Sequence, residues 1–217
     1  MALLLTTGWL FVHVPKTGGE WVRRALRDAS FVADDDEEVD PGVAPWPVPA
    51  SASSGMRRLH ATARSIGHDP ARSFCFVRHP LAWYRSLWAH GARDGWSPDN
   101  FVLDQYGCHD FLEFMDRCLR AFPTGFVSLL YRIYTEGAGF VGRYERLGDD
   151  LPAALEVAGL GPITPFWHAP MNVASAQPKL GRRCLYPLAL AERVATVEDE
   201  AIRRFGYHPI PEELLAP

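Results

Sequence analysis

Two apolar runs, GWLFVHVP and RSFCFVRHP, are each followed at once by a segment with helical periodicity, EWVRRALRDASF and LAWYRSLWAHGA. A β-rich run that is apolar at nearly every position suits a strand covered on both faces, and such strands belong to parallel sheets joined through helices. In the first unit Trp21, Val22, Ala25 and Leu26 fall on one helical face; in the second, Pro80 stops the strand just before the helix it feeds. A third strand is read in GFVGRYE. Further helices are read in HDFLEFMDRCLRAF, LGDDLPAALEVAGL and LALAERVATVEDEAIRRFGY, and a short one in MRRLHATARSIG. The alternation predicts an α/β fold with a central, mostly parallel sheet flanked by helices on both faces. Residues 92–107 read as loop, and no repeat of solenoid length is visible.

At 217 residues the chain is expected to form one domain over 1–217. Residues 34–55 break the pattern: DDDEEVD gives way to a stretch rich in Pro, Ser and Ala, expected to be a mobile surface loop or, functionally, an acceptor-binding flap. Hydrophobic residues at 47% and charged ones at 22% place the chain with soluble globular proteins. A formal charge of −4 supplies no general basic field, which argues against a nucleic-acid partner and makes any anion site local. No run is long enough to span a bilayer. The apolar start MALLLTTGWLFVHV lacks a basic leading region and a cleavage site, so it is expected to be a buried strand. Cys75, Cys108, Cys118 and Cys184 lack metal-ligand spacing, and Cys75 lies inside an apolar run; a reduced, cytoplasmic protein is expected.

Between the first strand and its helix stands PKTGG. Lys16, Thr17, Gly18 and Gly19 there occupy a helix N-terminus, where free N–H groups and the helix dipole favour an anion and glycine lets it approach the backbone. Of the 22 basic residues all but Lys16 and Lys179 are arginine, which suits a position needing a compact point charge. Alone, Lys-Thr-Gly-Gly is also what an ordinary strand-to-helix turn looks like. The second unit adds Arg78 at the strand end and Ser86 about two helical turns on, so two anion sites at strand ends point to a ligand phosphorylated at two positions.

HVPKTGG and FVRHPLAWYRSLW resemble the 5′-phosphosulfate loop and the 3′-phosphate motif of sulfotransferases that use 3′-phosphoadenosine 5′-phosphosulfate (PAPS). The likeness continues through RRLHATARSI, GFVSLLYRIYTEGAGFVGRYERLGDDLPAAL and the closing FGYHP, and is nearest to the bacterial and carbohydrate branch. It implies a P-loop-like fold, sulfuryl transfer from PAPS to a hydroxyl or amine of a small-molecule or carbohydrate acceptor, no metal, and leaves a homodimer open. In-line transfer from a donor that carries its own good leaving group needs positive charge on the departing phosphate more than a magnesium clamp. On this reading Lys16, Thr17, Gly18 and Gly19 hold the 5′-phosphate, Arg78 and Ser86 the 3′-phosphate, and Lys179 closes the site with Arg182 as its competitor. The alternatives are an ATP-dependent small-molecule kinase with a variant P-loop, disfavoured by the missing full loop, and a noncatalytic module that binds the bisphosphorylated nucleotide.

A hydroxyl acceptor must lose a proton, and histidine titrates near working pH. His60, in RRLHATA, matches the base of the carbohydrate branch; His13 and His79 read as structural, and His90, His109 and His168 are unranked. Glu20 departs from the family, whose members carry Ser or Thr there. It is expected to point away and cap its own helix, with an alternative base or acceptor-orienting group and a weakened donor site as the other readings. Glu145 is read as a buried partner of an arginine. Trp83 and Trp88 are expected in the core, and Trp96 and Tyr106, in loop-like sequence, at the acceptor.

Overall fold

The structure is a computed structural model that describes residues 2–33, 61–97, 101–163 and 178–217, with the side chains of 178–180 excepted. The strands are β1 (Leu3–Leu4), β2 (Leu10–Val12), β3 (Ser73–Val77) and β4 (Phe140–Arg143). The described helices are α1 (Gly19–Asp28), α2 (Pro80–Asp94), α3 (Phe111–Ala121), α4 (Phe126–Thr135), α5 (Leu147–Val157), α6 (Pro178–Arg183), α7 (Leu188–Val197) and α8 (Asp199–Arg204). The fold is α/β. The chain divides into two compact units, Met1–Val77 with Arg132–Met171 and Arg78–Tyr131 with Asn172–Pro217. The expected surface loop over 34–55 lies outside the described residues, as do residues 56–60 of the short helix read in MRRLHATARSIG; the described remainder, 61–67, is no α-helix but holds a single 3₁₀ turn, Arg64–Ile66, which corrects that reading.

The first unit holds a four-stranded mixed sheet in the order β1-β2-β3-β4. β2, β3 and β4 run parallel in the registers Phe11↔Phe74 and Cys75↔Val141. The apolar start is not one strand. Gly8 takes the left-handed φ of 76°, the Leu5 N–H donates to the Trp9 carbonyl, and β1 folds back antiparallel on β2. Alternation puts Phe11, Phe74 and Phe76 on one face, where they meet Val22, Ala25 and Leu26 of α1 and Leu151, Ala154 and Leu155 of α5. Each of these large side chains gains about 1.5–3 kcal/mol on burial, so a helix with one apolar stripe docks here whatever its intrinsic propensity. On the opposite face Cys75 lies against the end of α4, its Sγ 3.9 Å from the Tyr134 carbonyl oxygen.

Both flanking helices stop by the same device. Ser30 and Gly159 take left-handed φ values of 57° and 70°. The N–H groups of Phe31 and Leu160 then reach back to the carbonyls of Leu26 and Leu155.

The second unit is helical. The stripe read in α3 is buried as expected (Phe111, Phe114, Met115, Cys118, Leu119), and so are Trp83 and Trp88 of α2. The single C-terminal helix of the sequence reading is two, α7 and α8, with Glu198 at the joint. The break has a physical cause: Glu198 is 0% exposed and its carboxylate is taken up by α4 and Tyr84.

Burial pushes the phenols of Tyr84, Tyr134 and Tyr186 well above their ordinary value of 10.0, with Glu198 adding to the effect at Tyr84. Above pH 10 the unfolded chain therefore releases protons that the folded chain keeps, and stability falls with rising pH by up to about 1.4 kcal/mol per pH unit for each group. Burial raises the thiols of Cys118 and Cys184 above their ordinary value of 9.0 in the same sense, so thermal melts between pH 8 and 11.5 should show a Tm that begins to fall near pH 9 and falls more steeply beyond pH 10; a Tm that stays level to pH 11.5 would contradict the burial of these groups.

Candidate functional site

The turn between β2 and α1 is shaped by close contact. Lys16, half-buried, takes the left-handed φ of 63° and Gly18 one of 81°. For a lysine that conformation is uncommon and is kept only where the surroundings enforce it. The surroundings are visible: Thr17 is 1% exposed with its hydroxyl donating to the Val14 carbonyl at 2.8 Å, so the side chain on one side of Lys16 is anchored inward. A Cβ on Gly18 would come within 2.8 Å of the Tyr144 ring, and one on Gly19 would fall inside the His13 ring. Gly18 is thus required by backbone angle and by its neighbour, and Gly19 by its neighbour alone.

Gly18 caps α1 without a side-chain hydrogen bond. Its carbonyl accepts from the N–H groups of Trp21 and Val22 at 3.0 and 3.2 Å. The N–H groups of Gly18, Gly19 and Glu20 precede the first acceptors of the helix and have none within it. Such an end favours an anion.

Glu20 pairs within its own helix but does not cap it, which corrects the expected capping role: α1 has no side-chain cap. Its Oε1 lies 3.0 Å from Arg23 Nη1 and 4.0 Å from His13 Nδ1, and Arg23 is itself buried. The carboxylate that would repel an anionic ligand is therefore paired one turn further in. His13 sits beneath Gly19 as a structural side chain, in agreement with its reading from the sequence.

After β3 the chain passes to Arg78, the first residue of the second unit, and then to α2. Tyr131 holds the Arg78 backbone at both polar groups: its hydroxyl accepts from Arg78 N–H at 2.9 Å and donates to Arg78 O at 2.6 Å. His79 caps α2, its Nδ1 accepting from Leu81 N–H at 3.2 Å while its Nε2 donates to His208 O at 2.7 Å. Both partners together demand one neutral tautomer. Ser86 is half-buried in the second turn of α2. Beside it Arg85 donates to Cys184 Sγ and Gly181 O, both at 3.3 Å. No family model, curated protein or solved structure matches this chain. What can be said of the site comes from its residues.

His60 and His168 lie outside the described residues, and of Lys179 only the backbone, in α6, is described. Trp96 is wedged where side chains on Gly91 and Gly107 would stand and stacks on Phe114 at 5.3 Å; its buried Nε1 meets no partner among the described residues. Tyr106 is half-buried, edge-on to Phe122. Glu145 is exposed, which corrects its reading as a buried carboxylate. The nearby carboxylate that pairs with an arginine from a half-buried position is Asp150, which accepts from Arg143 N–H at 2.7 Å and lies 3.7 Å from Arg146. Among the described residues no helix is long and apolar enough to cross a membrane, and no group of three or more His, Cys, Asp or Glu is placed to hold a metal.

Sequence reading missed Tyr131, Tyr144, Asp150 and Glu198. Asp150 and Glu198 stand in charged stretches that look solvated, while Tyr131 acts on Arg78 from 53 residues away and Tyr144 packs on Gly18 from farther still along the chain.

Proposed function

We propose that this chain is a cytoplasmic PAPS-dependent sulfotransferase of P-loop-like fold that acts on a hydroxyl or amine of a small-molecule or carbohydrate acceptor. The observation that carries this reading is the turn at Lys16–Gly19: a lysine in left-handed backbone, two glycines whose side-chain space is filled by Tyr144 and His13, and a helix end with no side-chain cap. The left-handed residues and the helix end without a side-chain cap support a backbone cradle, because they leave N–H groups at the start of α1 for an anion.

PAPS, when bound, supplies the sulfuryl group and a bisphosphate leaving group. The N–H groups of Thr17, Gly18 and Gly19 hold the 5′-phosphate. Lys16 brings a compact positive charge to the oxygen on which negative charge develops. Arg78 and Ser86 bind the 3′-phosphate, the group that distinguishes this ligand from ATP, and Lys179 closes over it. His60 takes the acceptor proton; the ion pair of Glu20 with Arg23 supports the reading of Glu20 as a helix partner in place of a base. Tyr106 is the better aromatic candidate for acceptor contact, since packing already accounts for Trp96.

A thermal-shift titration tests this directly, with 3′,5′-adenosine bisphosphate set beside ATP plus magnesium. At a hundredfold excess over its dissociation constant a native-state ligand adds about 2.7 kcal/mol, or roughly 5–10 °C for a chain of this size. The expected result is a shift with the bisphosphate that is lost in Lys16→Ala and in Arg78→Ala. A shift that needs ATP and magnesium would move the kinase reading to the front. Bisphosphate binding with no turnover across an acceptor panel would identify a noncatalytic module.

A further inference from the structure

We infer that Tyr131 is the positioning residue of the Arg78 turn and sets this chain's selectivity for a 3′-phosphorylated nucleotide, an inference that rests on the role proposed for Arg78. A residue at the end of a strand ordinarily leaves its N–H and C=O to water. At Arg78 one buried hydroxyl takes both, accepting from the N–H and donating to the carbonyl, which uses its single proton and one lone pair. Fixing both polar groups of a residue fixes the two peptide planes on either side of its Cα, and with them the direction in which its side chain leaves the backbone. The next residue is fixed as well, because both nitrogens of His79 are engaged, one by Leu81 and one by His208.

The supports come from the end of the second unit. Gly206, at a left-handed φ of 65°, ends α8, and the Tyr207 N–H reaches back to Ile202 O at 2.9 Å. That reversal brings Phe205 edge-on to Tyr131 at 5.7 Å and Tyr207 edge-on to His79 at 5.2 Å. The closing RFGYHP segment thus braces both residues that hold the turn. Packing uses the ring of Tyr131, and the Arg78 backbone uses its hydroxyl. A guanidinium aimed before the ligand arrives loses less freedom on binding than one that must be ordered by it.

Tyr131→Phe separates the two roles. Wild type and variant would be titrated calorimetrically with 3′,5′-adenosine bisphosphate and with adenosine 5′-monophosphate, which lacks the 3′-phosphate, and amide exchange would be followed at Arg78. The expected result is a bisphosphate Kd raised about tenfold, an unchanged monophosphate Kd, and Arg78 exchange about tenfold faster. An equal loss for both ligands, or no loss with Arg78 exchange unchanged, would overturn the inference. If the wild type itself does not prefer the bisphosphate, the 3′-phosphate role of Arg78 fails, and the exchange arm still reports separately whether Tyr131 holds the turn. Phe205→Leu, which keeps the hydroxyl but removes its edge contact, should show the same selective loss at about threefold and stands in for Tyr131→Phe if that variant does not fold.

Discussion

Glu198→Leu is expected to destabilise the second unit by about 3–5 kcal/mol, a large share of the 5–15 kcal/mol that holds a typical domain. The carboxylate is fully buried and accepts four hydrogen bonds. Oε1 accepts from the Tyr84 hydroxyl at 2.7 Å and the Val127 N–H at 3.0 Å; Oε2 accepts from the Ser128 N–H and hydroxyl, both at 2.7 Å. Val127 and Ser128 lie in the first turn of α4, so Glu198 does for that helix what a capping side chain usually does, but from 70 residues away. A leucine removes every acceptor and leaves four buried donors without partners. Gly125 belongs to the same arrangement: its φ is 88°, and a Cβ there would lie 2.7 Å from both Glu198 Oε2 and Val197 O. Urea unfolding of Glu198→Leu beside Glu198→Gln, which keeps one acceptor oxygen, measures the effect. A loss below about 1 kcal/mol for leucine would mean that the network contributes no more than one ordinary hydrogen bond.

Gly19→Ala is expected to cost about 2–3 kcal/mol, the range for overpacking a filled site, and to abolish the bisphosphate thermal shift. The new methyl would fall within the His13 ring, which is 12% exposed and follows directly on β2, so neither the ring nor the helix start can yield without moving the Lys16 turn. The double variant His13→Ala/Gly19→Ala provides the control, because contacting residues couple strongly while independent ones add. Recovery of stability in the double variant would establish the clash. Equal additivity of the two losses would remove His13 as the reason for a glycine at this position. A recovered fold without recovered bisphosphate binding would show that His13 also shapes the cradle.

The local half of this structure is legible in the residues. The periodicities of α1, α3 and α5 and the strands within GWLFVHVP, RSFCFVRHP and GFVGRYE are found where hydrophobic spacing places them. The same is true of the structural reading of His79; Glu20, read as a helix cap, instead pairs with Arg23 one turn on. The hairpin at Gly8 and the break at Glu198 were not legible. In the first, a left-handed glycine splits an apolar run whose pattern is continuous; in the second, a long-range set of hydrogen bonds outweighs a helical period that carries on unbroken.

By itself, then, the sequence determined the α/β class and the position of two strand-to-helix turns bearing Lys16 and Arg78, because apolar spacing and the glycine and proline positions act over a few residues. Only the tertiary structure decided why Gly19 must be glycine, what holds Arg78, and which carboxylate is buried. Each of those depends on a single side chain, His13, Tyr131 or Glu198, meeting the backbone or its partners through folded contact. Long-range packing and hydrogen bonding leave no periodic trace in the chain that makes them.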